Sequence, residues 1–323
     1  MTALVHLIVF LASVGIVWYF AGVLVDAVSR IAKRSCRTGF FTAFFVLGFL
    51  TSISEFSVAI NAGIAGVPGV SVGNLIGASF VVLLFIVPLL AIAGQGIRFN
   101  TAIPREVFLI TLSAIALPTL LVMDGNVTRT EGFFALLAYG TVAYVLFKNR
   151  TPIRTCEPAV GGFIERTRSL LVEMARVVVG AVAIFAAAHF LVEQALYFSH
   201  ALSVPSSLMG LLLLSIGTNI PEIVIAVRSL FKQRSDIAFG DYLGSAAMNT
   251  LIFGGLAIFA GGFAVEPTEF MATALLFVAG LTLLYLFARS KLAITRGEGA
   301  FLMLFYVAFL AFQVYTLTRF AGS

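Results

Sequence analysis

Apolar residues fall along the chain in about ten blocks, near residues 3–25, 39–63, 70–93, 106–123, 132–147, 175–197, 206–227, 237–260, 270–288 and 299–317, separated by short polar segments. A helix that crosses a bilayer needs roughly 20 such residues, so the pattern predicts an all-α integral membrane protein of ten spanning helices. Little chain is left over for a soluble domain. The first block has no basic segment before it and ends at Asp26, which marks it as a retained helix rather than a cleaved signal peptide.

The blocks are duplicated. Thr51-Ser-Ile-Ser-Glu55 answers Thr218-Asn-Ile-Pro-Glu222, and Gly73-Asn-Leu-Ile-Gly77 answers Gly240-Asp-Tyr-Leu-Gly244, both at an offset of 167 residues. The same offset pairs Leu24-Val25-Asp26 with Leu191-Val192-Glu193, Glu131 with Glu298, and Tyr139 with Tyr306. Each copy holds five predicted spans, an odd number, so the second copy must enter the membrane from the opposite side. The expected organisation is a first five-helix repeat over 1–147, a cytoplasmic linker over 148–173 and a second five-helix repeat over 174–323. Inverted repeats of this kind are a common plan for secondary transporters, whose site lies at midplane between the copies.

Composition agrees with this plan: 60% of residues are hydrophobic, 11% are charged and the mean hydropathy is +1.07, against about 25% charged in an ordinary soluble domain. The net charge of +5 would suit a nucleic-acid partner if it were clustered in a folded domain, but it is not. When loops are assigned alternately to two sides, all Lys and Arg except Arg129 and Arg319 fall on one side. The positive-inside rule makes that side cytoplasmic and puts both termini outside, in the cell's inner membrane. The loop after the second block, residues 62–69, has no basic residue, whereas its counterpart carries Arg228, Lys232 and Arg234. The charges therefore report the inversion independently. Cys36 and Cys156 lie in segments placed on the cytoplasmic side with no CxxC spacing and are expected as free thiols.

Glu55 and Glu222 fall within spans, where an ionised side chain costs at least ~2.5 kcal/mol on insertion scales and is a functional candidate by default. Thr51 and Ser52 precede Glu55 by four and three residues, and Thr218 and Asn219 do the same for Glu222, so on each helix these oxygens share a face with the carboxylate. Oxygen ligands alone suit hard cations such as Ca²⁺, Mg²⁺ or Na⁺. Pro221 cannot donate to the carbonyl four residues back, which frees the Gly217 oxygen for an ion. Its counterpart Ser54 keeps its N–H. The Gly73/Gly77 and Gly240/Gly244 pairs are expected to serve close helix packing, and Asp26 and Glu193 to be interfacial charges at helix ends. No HExxH sequence and no nucleophile–base pair points to an enzyme.

These motif pairs resemble the α-repeats of the cation/calcium exchanger superfamily, which includes the sodium/calcium exchangers and their prokaryotic relatives. The family pattern is close to G-T-S-L-P-E on one helix and G-N-x-x-G-S-x-x-x-N or D on the next. The second repeat here reads Gly217-Thr-Asn-Ile-Pro-Glu222, then Gly240-Asp-Tyr-Leu-Gly-Ser-Ala-Ala-Met-Asn249. The resemblance implies that the two glutamates ligate Ca²⁺ with help from threonine oxygens, and that Na⁺ uses overlapping and flanking sites. Carried over, the cation ligands are Glu55, Glu222, Thr51, Thr218, Ser52, Ser245 and Asn249, with Asn219 in place of a serine. The first repeat departs from the pattern at Leu50, Ser54, Ala78 and Val82; the last two remove oxygens, which implies fewer bound Na⁺.

The expected function is a secondary active antiporter exchanging Ca²⁺ against Na⁺ or H⁺ by alternating access. Helices 1 and 6 would move past a core of helices 2, 3, 7 and 8. It would have no bound cofactor beyond the transported ions, inorganic cations and the lipid bilayer as partners, and a monomeric form. A divergent protein that binds a cation for sensing or structure, without exchange, is the alternative.

Overall fold

A computed structural model describes residues 3–34, 43–94, 96–98, 104–149, 163–220, 222–223, 226, 235–265, 267–290 and 293–321. Cys36, Cys156, Pro221 and the basic loop with Arg228, Lys232 and Arg234 lie outside these residues, as does most of the expected linker, 150–162. The described chain is almost wholly helical: α1 (Ala3–Arg34), α2 (Ala43–Thr51), α3 (Ile53–Ile64), α4 (Pro68–Ala93), α5 (Arg105–Leu121), α6 (Arg129–Lys148), α7 (Phe163–Ala201), α8 (Ser206–Thr218), α9 (Ser235–Phe259), α10 (Pro267–Ser290) and α11 (Arg296–Ala321). Helices α2 and α3 are two parts of one span, bent by 46° at Ser52. The chain is an all-helical membrane protein of the ten-span, inverted-repeat class. Helix α7 begins at Phe163, inside the segment expected as linker.

The duplication seen in sequence extends to backbone detail. One π-helical turn runs from Ala43 to Leu47 and another from Gly210 to Leu214, again 167 residues apart. Both immediately precede the Thr-bearing turns Gly48–Thr51 and Ser215–Thr218, and both of those turns end on a residue outside helical geometry, Ser52 (φ −80°, ψ 6°) and Asn219 (φ −91°, ψ 8°). Such turns insert an extra residue into the helical ladder, re-aim the side chains after it and recur at functional sites. At the far end of each repeat stands the same capping box. Thr128 N–H donates to Glu131 at 2.7 Å, and Thr295 N–H donates to Glu298 at 2.8 Å; each satisfies the orphan donors of a helix start.

Two short antiparallel pairings join the repeats at opposite ends of the bundle. Strand β1 (Ile97–Arg98) pairs with β4 (Ala293–Ile294), and β2 (Asn126–Val127) pairs with β3 (Phe263–Ala264). Arg105 and Arg296 lie at the first end, where Arg105 Nε donates to the Tyr285 hydroxyl at 3.2 Å and Arg296 Nε to the Ile92 carbonyl at 3.0 Å. Arg129 lies at the other, beside Gly261.

The core divides in two. Phe80, Phe277 and Phe309 stack in the larger part, with ring centroids 4.4 and 3.9 Å from Phe80. The smaller part joins α1 and α7 through Phe10, Val14, Val17, Ile184, Ala188 and Leu191. Outward faces carry Leu, Val and Phe, such as Leu4, Phe133, Val182 and Leu304, which is the arrangement a lipid solvent requires. Asp26 and Glu193 were expected at helix ends, but α1 continues to Arg34 and α7 to Ala201, so both lie within helices. Asp26 is exposed, and Glu193 stands 3.5 Å from His189 with both side chains about half exposed. Helical periodicity and apolar composition simply continue past them.

Candidate functional site

The glycine pairs bring the repeats together. A Cβ on Gly48 would sit 2.6 Å from the Gly244 carbonyl carbon, and one on Gly244 would strike the Phe44 backbone. A Cβ on Gly77 would meet the Leu211 backbone and come within 2.7 Å of Ser215. These are the same contacts 167 residues apart, so α9 lies backbone-close on α2 and α4 lies backbone-close on α8. Close approach of this kind is what small residues at membrane helix interfaces permit. It draws the helix breaks at Ser52 and Asn219 into a single buried polar region.

Glu55 and Glu222 are both fully buried there. Sequence reasoning expected both well inside helices. Glu55 instead occupies the first turn of α3, just past the break, and Glu222 follows Asn219 in the equivalent place. The start of a helix carries partial positive charge from its unpaired N–H groups, which favours an anion. Ser54 Oγ donates to Glu55 Oε2 at 2.8 Å, while Glu55 Oε1 and both carboxylate oxygens of Glu222 have no hydrogen-bond partner among the described residues. Ser54 Oγ is also 3.4 Å from the Thr218 carbonyl. Thr218 lies beside Glu55 and Thr51 beside Glu222, and Glu222 is within electrostatic reach of Glu55. Each carboxylate therefore lies beside the threonine of the opposite repeat, and the two glutamates adjoin.

The neutral side chains expected as ligands are arranged alike. Asn219 donates its amide to the Ser215 carbonyl at 2.6 Å, and Asn249 donates to Ser79 Oγ at 3.1 Å and the Leu75 carbonyl at 3.3 Å. In both, the amide oxygen is buried without a partner, and so is available to a cation. Ser52 and Ser245 meet across the repeat boundary with hydroxyl oxygens 3.3 Å apart. Gly217 packs against Val14 and Phe10 of α1. The carbonyl expected to be freed there depends on Pro221, outside the described residues. Ala78 and Val82 are fully buried and apolar, so those positions add no oxygen.

Three residues that the motif reading left out also belong to this region. Asp241 is fully buried; Thr51 Oγ1 stands 3.5 Å from its Oδ1, and its Oδ2 has no partner. Asn74, its counterpart, accepts from Thr218 Oγ1 at 3.3 Å. The Tyr242 hydroxyl reaches the Glu222 main-chain carbonyl at 3.4 Å. All three sit inside the GNLIG and GDYLG segments, whose glycines drew the packing explanation and hid the residues between them. The signal that could have found them is the side-chain period: Asp241 and Ser245 are four residues apart on one helix face.

Among the described residues no Lys or Arg is buried, and no three His, Cys, Asp or Glu side chains converge closely enough to hold a metal alone. Two buried glutamates at the breaks of paired helices, with buried Asp241 close to Glu222, stand among neutral oxygens in an inverted repeat. The chain superposes on solved structures of the sodium-calcium exchanger NCX_Mj with a TM-score of 0.69, covering 96% of this chain and 99% of that one at 20% identity. The sequence profile of the sodium/calcium exchanger protein family matches residues 5–148 and again 173–315, and the chain belongs to that family, one of transporters rather than enzymes. It is 32% identical over 156 residues to the sodium/calcium exchanger MaX1 of Methanosarcina acetivorans, a match spanning 48% of this chain and 42% of that protein. It is 26% identical over 251 residues to the inner membrane protein YrbG of Escherichia coli, 75% of each chain.

Proposed function

We propose that this protein is a secondary antiporter that exchanges Ca²⁺ against Na⁺ or H⁺ by alternating access at the Glu55/Glu222 site. The observation that carries the reading is the pair of buried glutamates, one per repeat, with three of their four carboxylate oxygens unpartnered among the described residues. An isolated buried carboxylate is too costly to leave uncompensated, and two of them match the charge of one Ca²⁺. The remaining ligands are Thr51, Thr218, Ser52, Asn219, Ser245, Asn249 and the Gly217 carbonyl, a hard-oxygen set that suits Ca²⁺. When Ca²⁺ leaves, two monovalent ions or protons restore neutrality.

Alternating access would come from the α1/α7 pair moving against the remainder, along the smaller apolar core that joins them. The chain would reside in the inner membrane with both termini outside and act as a monomer, its two repeats joined by a cytoplasmic linker around 148–173. Ca²⁺ uptake into proteoliposomes under an imposed Na⁺ gradient, and then under a pH gradient, tests the reading. Uptake driven by either gradient and lost in Glu55→Gln and Glu222→Gln is expected; uptake under neither would refute it.

A second reading, a divergent member that binds a cation without exchanging it, is favoured only by the apolar Ala78 and Val82. Ca²⁺ binding in the absence of any Ca²⁺ flux would support it over exchange.

A further inference from the structure

We infer that Asn61 is a positioning residue for the transport cycle: its side-chain amide engages the backbone of α7 and selects the place that α7 holds along the glutamate-bearing helix α3. This rests on the exchange reading only for its effect on flux, since the position of α7 is a property of the folded chain. Asn61 lies six residues beyond Glu55 on α3 and is buried. An amide nitrogen has two protons to donate, and here they go to different helices. One is given to the Ser57 carbonyl of α3 at 2.9 Å, the other to the Phe185 main-chain carbonyl of α7 at 3.3 Å. The neighbours at this crossing are apolar: Val58 and Ala62 share the face of α3 with Asn61, and Ile184, Ala187 and Ala188 come from α7, all buried in the smaller core. The 167-residue offset pairs Asn61 with Arg228, so this group is not duplicated as the glutamates are.

Apolar contacts are non-directional and hold α7 against α3 without fixing on any one backbone group. An amide does fix on one. Inside a bilayer no water replaces a lost partner, so Asn61 favours those positions of α7 that bring a carbonyl within its reach. Such positions recur once per helical turn, about 5.4 Å. One turn to either side of Phe185 stand Ala181 and Ala188, whose methyl side chains leave the main chain open to approach. Movement of α7 past α3 therefore proceeds in one-turn steps, with Asn61 releasing one carbonyl and taking the next. The Phe185 carbonyl keeps its place in the α7 ladder when released, and the bond to Ser57 stays within α3, so only one amide proton is unpaired during the step.

The test is the separation of spin labels at Ile64→Cys and Leu202→Cys, both exposed positions at the ends of α3 and α7, in the full-length protein in lipid vesicles with Cys36→Ser and Cys156→Ser. Two populations of distance are expected in this parent. Asn61→Leu should change their ratio about three- to tenfold, the worth of one hydrogen bond, while equilibrium Ca²⁺ binding stays within about twofold. Asn61→Ser, whose hydroxyl can bond the Ser57 carbonyl of its own helix but is too short to reach Phe185, should do the same. An unchanged distribution in both variants overturns the inference even if they melt at a lower temperature, since a purely structural bond would do only that. If neither variant folds, Asn61→Gln takes their place: its amide reaches one methylene further and should shift the ratio, and no shift overturns the inference. Two positions set by Asn61 in a protein that moves no Ca²⁺ would refute the exchange reading and leave this one standing; Ca²⁺ flux with unresponsive distances would do the reverse.

Discussion

The half-site around Glu55 and the half-site around Glu222 share a backbone and differ in chemistry. Both follow a π-turn and a helix break 167 residues apart, yet Glu55 has a donor in the adjacent Ser54, and its repeat carries apolar Ala78 and Val82. The Glu222 carboxylate has no hydrogen-bond donor at bonding distance among the described residues and lies within reach of a second acid, Asp241. Duplication conserves the geometry that brings ligands together, while the charge at each position is free to diverge. One half is partly self-satisfied without an ion; the other depends on one.

That contrast can be broken most forcefully by removing either carboxylate. Glu222→Gln should reduce Ca²⁺ flux by about a hundredfold or more, equivalent to roughly 3 kcal/mol for a lost charged ligand, and Glu55→Gln should do the same. Equal losses at both would show that the halves serve one site despite their different surroundings. Flux through reconstituted vesicles is the readout, and a small effect at Glu55 would mean that Ser54 has made that half dispensable.

A smaller effect is expected from the interface that aligns the halves. Gly48→Ala places a methyl group 2.6 Å from the Gly244 backbone, and neither backbone can yield without moving α9 on α2. Overpacking of this sort costs about 1–3 kcal/mol, so the melting temperature should fall. Gly15→Ala, with open space around its Cβ position, should leave it unchanged.

Ser54→Ala sharpens the comparison by making the first half resemble the second. Removing a hydroxyl that donates to a buried carboxylate costs about 1.5–3 kcal/mol, so the cation-free protein should melt at a lower temperature and be stabilised more by Ca²⁺. Smallest is Val82→Asn, which restores an oxygen to the first repeat. It should strengthen the Na⁺ dependence of flux by a few-fold, since one neutral ligand is worth about 1 kcal/mol.

Much of this was legible in the sequence. The ten apolar blocks, the offset of 167 and the Thr-x-x-x-Glu spacing gave the architecture and the glutamates because each depends on periodicity or on a charge where none is tolerated. The spacing puts Ser52 and Asn219 on unbroken helices, whereas both are break points. A π-turn leaves no composition signature in Ala43–Leu47 or Gly210–Leu214. Charge usually stops a span, which predicts helix ends at Asp26 and Glu193, but both sit at exposed positions that tolerate charge within longer helices. Asp241 was passed over because its neighbours Gly240 and Gly244 had an adequate packing explanation, and only burial without a partner distinguishes it from a solvated acid.

The central claim is that one cation site is shared by both repeats. Equilibrium ⁴⁵Ca²⁺ binding to wild type, Glu55→Gln, Glu222→Gln and the double variant tests it most directly. A single Ca²⁺ per chain in wild type, abolished by either substitution with no further loss in the double variant, is the predicted result. Two Ca²⁺ per chain, with one lost in each single variant, would mean two independent sites and contradict it.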